Sequence, residues 1–245
     1  ESFLGEDDHS TPHPIDNFVW VLQNGEETIL VDTGYDGAEG ARRGRPVLQD
    51  PVQVLAQHGF QASDISTVIV THLHYDHAGG LHPFSHAKLY VQAADMAYAT
   101  GPCMCHAHLR APFTGSHICD MVRALYEDRV AFIEGTREIR PGVEAHWMGG
   151  HSRGLQSVRV RTRRGWVMLA SDASHFYENF LENRAFPIVV DVEDALNAFG
   201  RLRSLADSMD HIIPGHDPLV LKRYPLLRPD TPHAVCLSAD PLERL

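Results

Sequence analysis

The feature that most constrains this chain is an apolar strand that runs directly into a cluster of histidines. Val68-Ile69-Val70 is apolar and β-branched, which is typical of a buried strand. The next segment, Thr71–Gly80, reads Thr-His-Leu-His-Tyr-Asp-His-Ala-Gly-Gly and places three histidines and one aspartate within six positions. Imidazole nitrogens bind zinc, cobalt or iron(II), and a carboxylate adds an oxygen ligand. The spacing therefore predicts a metal site on the loop that follows the strand.

The spacing within this histidine motif, Thr71–Gly80, separates its four metal-binding side chains into two pairs. His72 and His74 are two residues apart, so both can point the same way from an extended backbone. Asp76 and His77 follow where the chain turns, and they face a second position. Four solvated polar residues on a loop are the alternative, which the density of ligand types disfavours. One segment does not complete a metal site, so further ligands are expected at other strand ends.

Three later segments share one pattern: an apolar strand, a tight turn and then a residue able to bind a metal. They are Gly149-Gly150-His151, Ala170-Ser171-Asp172 and Pro214-Gly215-His216. Each has an ordinary alternative, as a loop cap, a helix N-cap or a turn histidine. With the histidine motif they supply five histidines and two aspartates, which is enough for two metal ions. We therefore expect these segments to converge at one edge of a sheet.

Length, charge and cysteine usage limit the classes of protein that fit. A chain of 245 residues can bury a sizeable core, and without a repeat or linker we interpret residues 1–245 as a single domain. The net charge of −11 argues against a nucleic-acid partner, and no apolar run of about 18 residues is present to span a membrane. The four cysteines do not resemble a disulfide framework, which favours free thiols and a cytoplasmic location. A homodimer is compatible with these features.

The hydrophobic pattern predicts many strands with a few helices between them. A hairpin is expected from the apolar runs 18–22 and 28–31, and a helix after an Asp50 cap. A longer helix is expected over 192–209, with Asp191 as its cap. Further strands are expected at 67–71, 88–91, 130–133, 143–147, 156–161, 166–170 and 211–214, and further helices at 92–99 and 119–126. This order predicts an α/β chain in which two sheets pack face to face under helices.

Residues 100–117 lose every periodic pattern and are rich in Gly, Pro, Cys and His. A long irregular loop is expected here, and such loops in compact domains are usually functional or disordered. Two interpretations stay open. The segment is either a mobile surface loop without a role, or the wall of an acyl pocket lined by Met104, Leu109, Pro112 and Phe113.

The complete motif set resembles the metallo-β-lactamase superfamily, from Asp32-Thr33-Gly34 to Pro214-Gly215-His216. The shared pattern is His-x-His-x-Asp-His, a later Gly-His, an isolated Asp and a final Gly-His. The resemblance implies an αββα sandwich with a dinuclear metal site at one edge of the two sheets. The strand that usually opens this fold is not evident in residues 1–16, which suggests a missing N-terminal strand.

The resemblance also implies which residues hold the metals, two divalent ions for which zinc is expected before cobalt, manganese or iron(II). One ion is assigned to His72, His74 and His151, and the other to Asp76, His77 and His216. Asp172 would bridge the two ions. Asp32 is implied to orient the site without binding a metal.

The ligand set separates the branches of the superfamily. His74 opposes the flavodiiron branch, which has glutamate there, and Asp172 opposes the zinc β-lactamases, which lack a bridging aspartate. The acidic charge opposes transfer-RNA nucleases, and the short segment after His216 opposes glyoxalase II-type thioesterases. What is left resembles the quorum-quenching N-acyl-homoserine-lactone lactonases, through Asp172-Ala173-Ser174-His175 and Glu178-Asn179. The chain departs from them at His175, where that branch has a tyrosine that binds the substrate carbonyl.

The resemblance implies metal-dependent hydrolysis of lactone rings. A hydroxide that bridges the metal ions would attack the carbonyl carbon, and Asp76 would carry a proton to the leaving oxygen. His175, or Tyr177 in its place, would donate to the carbonyl oxygen, unless both simply pack under the loop. The alternatives are another ester, thioester or phosphoester hydrolase on the same site, and a mononuclear iron sulfur dioxygenase. A non-catalytic binding scaffold is disfavoured because the ligand set is complete.

Overall fold

Two five-stranded sheets carry the predicted ligands at the ends of their strands. The computed structural model describes residues 2–5, 11–25 and 27–245. Their contacts divide the chain into two compact units. We call residues 17–134 the motif unit, and residues 135–245 with the segment before residue 17 the aspartate unit. The prediction of a single domain stays a prediction.

The sheet of the motif unit is mixed and has the order β1-β2-β3-β4-β5. Its strands are β1 (Trp20–Asn24), β2 (Glu27–Val31), β3 (Thr67–Ile69), β4 (Lys88–Gln92) and β5 (Val130–Ile133). The first two form the predicted antiparallel hairpin, whose turn residue Glu26 lies outside the described residues, and β2 to β5 run parallel. Every residue of β3 is buried, because a central parallel strand is covered on both faces. Parallel pairing brings the carboxyl ends of β2 and β3 together, where Asp32 and the histidine motif begin.

The sheet of the aspartate unit has the order β10-β9-β8-β7-β6. Its strands are β6 (Thr136–Arg140), β7 (Val143–Trp147), β8 (Gln156–Thr162), β9 (Gly165–Ser171) and β10 (Ile212–Pro214). Only β9 and β10 are paired in parallel among the described strands of this sheet, so Asp172 and His216 follow neighbouring carboxyl ends. Gly215 is required there, because a Cβ would lie 2.7 Å from the Ser171 carbonyl oxygen.

Most helices are short. Those of the motif unit are α1 (Gly37–Arg43), α2 (Pro51–Gln57), α3 (Tyr75–Ala78), α4 (Ala93–Ala99), α5 (Ala107–Arg110) and α6 (Gly115–Tyr126), and those of the aspartate unit are α7 (Tyr177–Glu182), α8 (Val192–Leu205) and α9 (Leu219–Arg223). Asp50 caps α2 as predicted, because its Oδ1 accepts from the Val52 and Gln53 amides at 2.9 and 3.2 Å. None of the helices in the described part of the chain is long and apolar enough to cross a membrane.

Several predicted elements need correction. Residues 100–117 are not an irregular loop: they hold a 3-10 turn (Pro102–Cys105), α5 and the start of α6, elements too short to show a periodic pattern. Helix α8 ends at Leu205 rather than 209, and the Asp207 carboxylate that follows accepts from the Trp166 amide on β9 at 2.9 Å. Strand β6 and the helices α1, α3, α7 and α9 were not predicted from the sequence. The described part of residues 1–16 holds no strand, and residues 1 and 6–10 lie outside it.

Candidate metal centre

The histidine motif of the motif unit brings three imidazole rings together. The His72 ring centroid lies 4.4 Å from that of His74 and 4.2 Å from that of His77, and all three side chains are buried. The chain turns after His74, which directly precedes the single-turn helix α3, so that Asp76 lies on that turn beside His77. Asp76 Oδ1 is 4.0 Å from His77 Nε2. The predicted motif residues of this unit therefore do converge.

Asp32 orients His77, as the resemblance implied. Its Oδ2 is 2.7 Å from His77 Nδ1 and accepts from Thr71 Oγ1 at 2.7 Å, and its Oδ1 accepts from the Thr71 amide at 2.7 Å. Burial raises the pKa of the Asp32 carboxyl, and the contacts with His77 and Thr71 oppose that rise. Because the carboxylate accepts the hydrogen of Nδ1, the lone pair of His77 is at Nε2, the arrangement typical of a metal-binding histidine.

Further side chains that were not identified from the sequence support the motif. The carboxylate of Asp95 accepts from the Leu73 amide at 2.6 Å, and Thr33 Oγ1 donates to the His77 carbonyl at 3.0 Å. Tyr75 receives a hydrogen bond on its hydroxyl from Arg45 at 2.6 Å, and the Arg43 guanidinium lies 3.8 Å from its ring centroid. Burial first, and then the charge of Asp76, raise the pKa of Tyr75 to about 12. No local pattern marks these residues, since their partners are distant in sequence.

In the aspartate unit, three histidines surround the carboxylate of Asp172. His151 Nε2 and His175 Nε2 each lie 3.1 Å from Oδ2, and His216 Nε2 lies 3.0 Å from Oδ1. All four side chains are buried. The ligand atoms of Asp172, His175 and His216 lie within 4.8 Å of one another, close enough to hold one metal ion. The structure thus brings together the three residues predicted as ligands in this unit, and His175 lies beside them.

The backbone contacts of His151 and His216 direct the free nitrogen of each ring at the Asp172 carboxylate. His151 Nδ1 is 2.7 Å from the Ile188 carbonyl oxygen, and His216 Nδ1 is 2.7 Å from that of Asp16. A carbonyl only accepts, so the hydrogen of each neutral ring is on Nδ1 and the lone pair is on Nε2. Each lone pair then points toward a carboxylate oxygen, which is repulsive unless a positive charge lies nearby. The donor set therefore fits a divalent metal ion, and neutral imidazole with carboxylate is a set that zinc binds.

The two residues predicted to contact substrate are both buried. The His175 ring stacks on Phe186 at a centroid distance of 3.6 Å and an interplanar angle of 10°. Burial lowers the pKa of His175 to about 3. The Tyr177 ring lies 5.0 Å from the Arg223 guanidinium, and burial raises the pKa of its hydroxyl. A substrate-contacting role for either residue stays a prediction.

The predicted substrate wall contributes in part to a hollow in the motif unit. This hollow has a volume of about 600 Å³ and is lined by α1 and by residues between 107 and 117, Phe113 among them. Phe113 also packs edge-on against His74, with 4.7 Å between ring centroids. Met104, Leu109 and Pro112 are not part of this lining. An acyl-binding role for the segment stays a prediction.

Comparison with known proteins places these observations in a family. A family model described as the metallo-beta-lactamase superfamily matches residues 14–216, which is most of the chain. The chain belongs to the metallo-beta-lactamase superfamily. It is 31% identical over 217 residues to an N-acyl homoserine lactonase of Bacillus cereus, with 81% of each chain covered. It is 32% identical to N-acyl homoserine lactonase AiiA of Bacillus thuringiensis subsp. kurstaki, again with 81% of each chain covered.

A solved structure is also similar to this chain. An N-acyl homoserine lactone hydrolase with N-hexanoyl-L-homoserine bound at its catalytic metal centre matches with a TM-score of 0.71 and 29% identity, covering 85% of this chain and 84% of that one. These findings confirm the predicted superfamily, the metallo-β-lactamase fold and the hydrolase class. The assignment of individual ligands to metal ions stays a prediction.

Proposed function

We propose that this superfamily member opens lactone rings, those of N-acyl-homoserine lactones or of other small lactones, with two divalent metal ions. The observation that carries the proposal is the Asp172 carboxylate with the Nε2 lone pairs of His151 and His216 directed at it. The similarity to lactonases over four-fifths of the chain supports the choice of substrate class. A small-molecule substrate is thus the proposed partner, with no nucleic acid.

The proposed ligand sets follow the family pattern. His72, His74 and His151 would hold one ion, Asp76, His77 and His216 the other, and Asp172 would serve both. Five neutral imidazoles and two carboxylates favour Zn²⁺, and the same donors accept Co²⁺, Mn²⁺ or Fe²⁺. Free cysteines at all four positions support a reducing compartment such as the cytoplasm.

Two aspartates of this chain have defined tasks in the proposed reaction. When bound, the two ions supply an activated water and polarise the lactone carbonyl. Asp32 keeps the hydrogen of His77 on Nδ1, so that Nε2 can act as a ligand. Asp76, the most exposed of the motif ligands, would receive the proton of the attacking water and pass it to the ring oxygen that leaves. The chemistry needs neither a serine nor a cysteine nucleophile.

Metal analysis and a lactone panel test this proposal together. We expect the purified protein to bind near two metal ions per chain and to open γ- and δ-lactones of varied tail length in a pH-indicator assay. A chelator should abolish turnover, and added Zn²⁺ should restore it. His74→Ala should lose metal and turnover together, whereas His82→Ala, at an exposed histidine of the same unit, should lose neither.

Three results would contradict the proposal in different ways. Turnover confined to thioesters or phosphoesters would make the lactone assignment wrong and keep the dinuclear hydrolase. One iron ion per chain would favour the sulfur dioxygenase. Full metal content without turnover of any ester would point to a binding scaffold. Tyr177→Phe, assayed on the best lactone, tests whether its hydroxyl contacts substrate, since loss of a carbonyl donor lowers turnover and leaves the metal content unchanged.

A further inference from the structure

The three histidines around Asp172 differ at the ring nitrogen that faces away from the carboxylate. His151 and His216 place Nδ1 against backbone carbonyl oxygens, both at 2.7 Å. His175 Nδ1 is buried and has no hydrogen-bond partner among the described residues. Its Nε2 nevertheless lies as close to Asp172 Oδ2 as that of His151, at 3.1 Å in both cases. Backbone carbonyls therefore determine the tautomers of His151 and His216. The tautomer of His175 depends on its contact with Asp172.

The two tautomers of His175 differ in free energy, because they differ in the hydrogen bonds that the ring can form. With the hydrogen on Nδ1, a buried N–H would have no acceptor, and a lone pair on Nε2 would face the carboxylate. With the hydrogen on Nε2, the ring makes a charge-assisted hydrogen bond to Asp172 Oδ2 and leaves only an acceptor unsatisfied. Buried acceptors without partners are tolerated better than buried donors. His175 should therefore carry its hydrogen on Nε2, opposite to His151 and His216.

The packing holds His175 in this orientation. Its ring stacks on Phe186 at 3.6 Å and lies 5.1 Å from the His216 ring at an interplanar angle of 27°. Its backbone carbonyl accepts from the His216 amide at 3.0 Å, and the carbonyl of Ser174 accepts from the Gly215 amide at 2.9 Å. A rotation of the His175 side chain away from Asp172 would break the stack on Phe186.

We propose that His175 is a positioning residue whose Nε2–H donates to Asp172 and orients the carboxylate that the metal ions share. It then neither binds a metal nor donates to the substrate carbonyl, the task of the tyrosine found at this position in the lactonases that the chain resembles. The inference rests on the proposed function, since Asp172 must serve metal ions for its orientation to matter.

Two variants separate the positioning role from the other two. His175→Phe keeps a flat ring on Phe186 and removes the donor, whereas His175→Gln places an amide N–H near the position of Nε2. We expect His175→Phe to bind two zinc ions at saturation with an affinity about 10- to 100-fold weaker, in competition with a chromophoric chelator. His175→Gln should recover part of that loss. Far-ultraviolet circular dichroism and thermal unfolding verify that both variants are folded, and His146→Gln, at a buried histidine paired with Glu144 on β7, is the matched control.

The tautomer itself is measured in the zinc-loaded wild-type protein. Long-range ¹H–¹⁵N spectra of the histidine rings, with His175 identified by its missing signals in His175→Gln, should show a protonated Nε2 and a bare Nδ1. A metal-bound Nε2 signal for His175, or one zinc ion per chain in His175→Phe, would make it a ligand and overturn the proposal. Unchanged zinc affinity with reduced turnover alone would make it the carbonyl donor. If the wild type binds two zinc ions and shows the expected tautomer yet opens no lactone, the lactone assignment fails and this inference stands, since it needs only the metal ions on Asp172.

Discussion

The motif unit and the aspartate unit orient their histidines by different means. In the motif unit, the carboxylate of Asp32 holds His77, and Asp95 holds the backbone at Leu73. In the aspartate unit, the backbone carbonyls of Ile188 and Asp16 hold His151 and His216. Side-chain support can be removed by one substitution, whereas backbone support depends on the path of the chain. We therefore expect equivalent substitutions to have unequal effects in the two units.

The two units share one local device at the strand end. Asp32 follows β2 with a φ of 60°, and Ser171, which ends β9, has a φ of 49°. A left-handed backbone conformation is unfavourable for residues other than glycine, and residues that adopt it are often found at functional sites. In each unit the turn directs a carboxylate, of Asp32 or Asp172, toward imidazole nitrogens. The units therefore differ in how they hold the rings and agree in how they place the acid.

The largest effect should come from the side-chain support, in Asp32→Asn. The amide keeps the shape and tolerates a positive φ, but its NH₂ group faces donors from Thr71 and His77. We expect the free energy of unfolding to fall by about 3 kcal/mol and metal affinity to fall about 10- to 100-fold. Urea denaturation and chelator competition measure the two. Asp50→Asn is the matched control, since asparagine caps a helix as well as aspartate, and a loss at Asp32 no larger than in this control would refute the role of the carboxylate.

A smaller effect is expected at Glu39, which supports the motif unit further from the metal ligands. Its Oε2 accepts from Arg42 at 2.9 Å, and its Oε1 accepts from Thr114 at 2.6 Å. Hydrogen bonds from Arg42 first, and then from Thr114 and Arg43, lower the pKa of Glu39 to about 2. Glu39→Gln should lower the free energy of unfolding by about 1–3 kcal/mol near neutral pH.

The pH dependence of that difference has a defined sign. The folded pKa of Glu39 lies below its ordinary value of 4.5, so its contribution is complete above pH 4.5 and is lost as the pH falls toward about 2. The gap in unfolding free energy between the wild type and Glu39→Gln should therefore shrink between about pH 5 and pH 2. A gap that stays constant over this range would show that the charge of Glu39 does not support the unit.

The smallest effect should come from Asp16→Ala in the aspartate unit. Asp16 forms two hydrogen bonds with His216, both through its backbone: its carbonyl accepts from Nδ1 at 2.7 Å, and its amide donates to the His216 carbonyl at 3.0 Å. Its carboxylate interacts with His216 through its charge. Because alanine keeps both hydrogen bonds, zinc affinity should change by less than about twofold. Isothermal titration with zinc measures this. A loss comparable to that of Asp32→Asn would mean that the units do not differ as proposed.

Much of the fold was predictable because its signals are local. The hairpin, the Asp50 and Asp191 caps and the buried strand under the motif follow from neighbouring residues, and all are present. The short helices between 100 and 117 were missed because one or two turns carry no periodic pattern. Asp95 was missed because its partner, the Leu73 amide, is distant in sequence.

The donor atoms of the candidate metal centre and the family could be predicted from the amino-acid sequence. Histidines and aspartates that directly follow apolar strands indicate a metal site, since both the strand and the turn are encoded within a few residues. The orientation and the tautomer of those donors depend on tertiary contacts. The carbonyls of Ile188 and Asp16 select the tautomers of His151 and His216, and the stack on Phe186 turns His175 toward Asp172. The position of the hydrogen on an imidazole ring depends on contacts between residues far apart in the chain. The spacing of residues in the sequence therefore does not predict it.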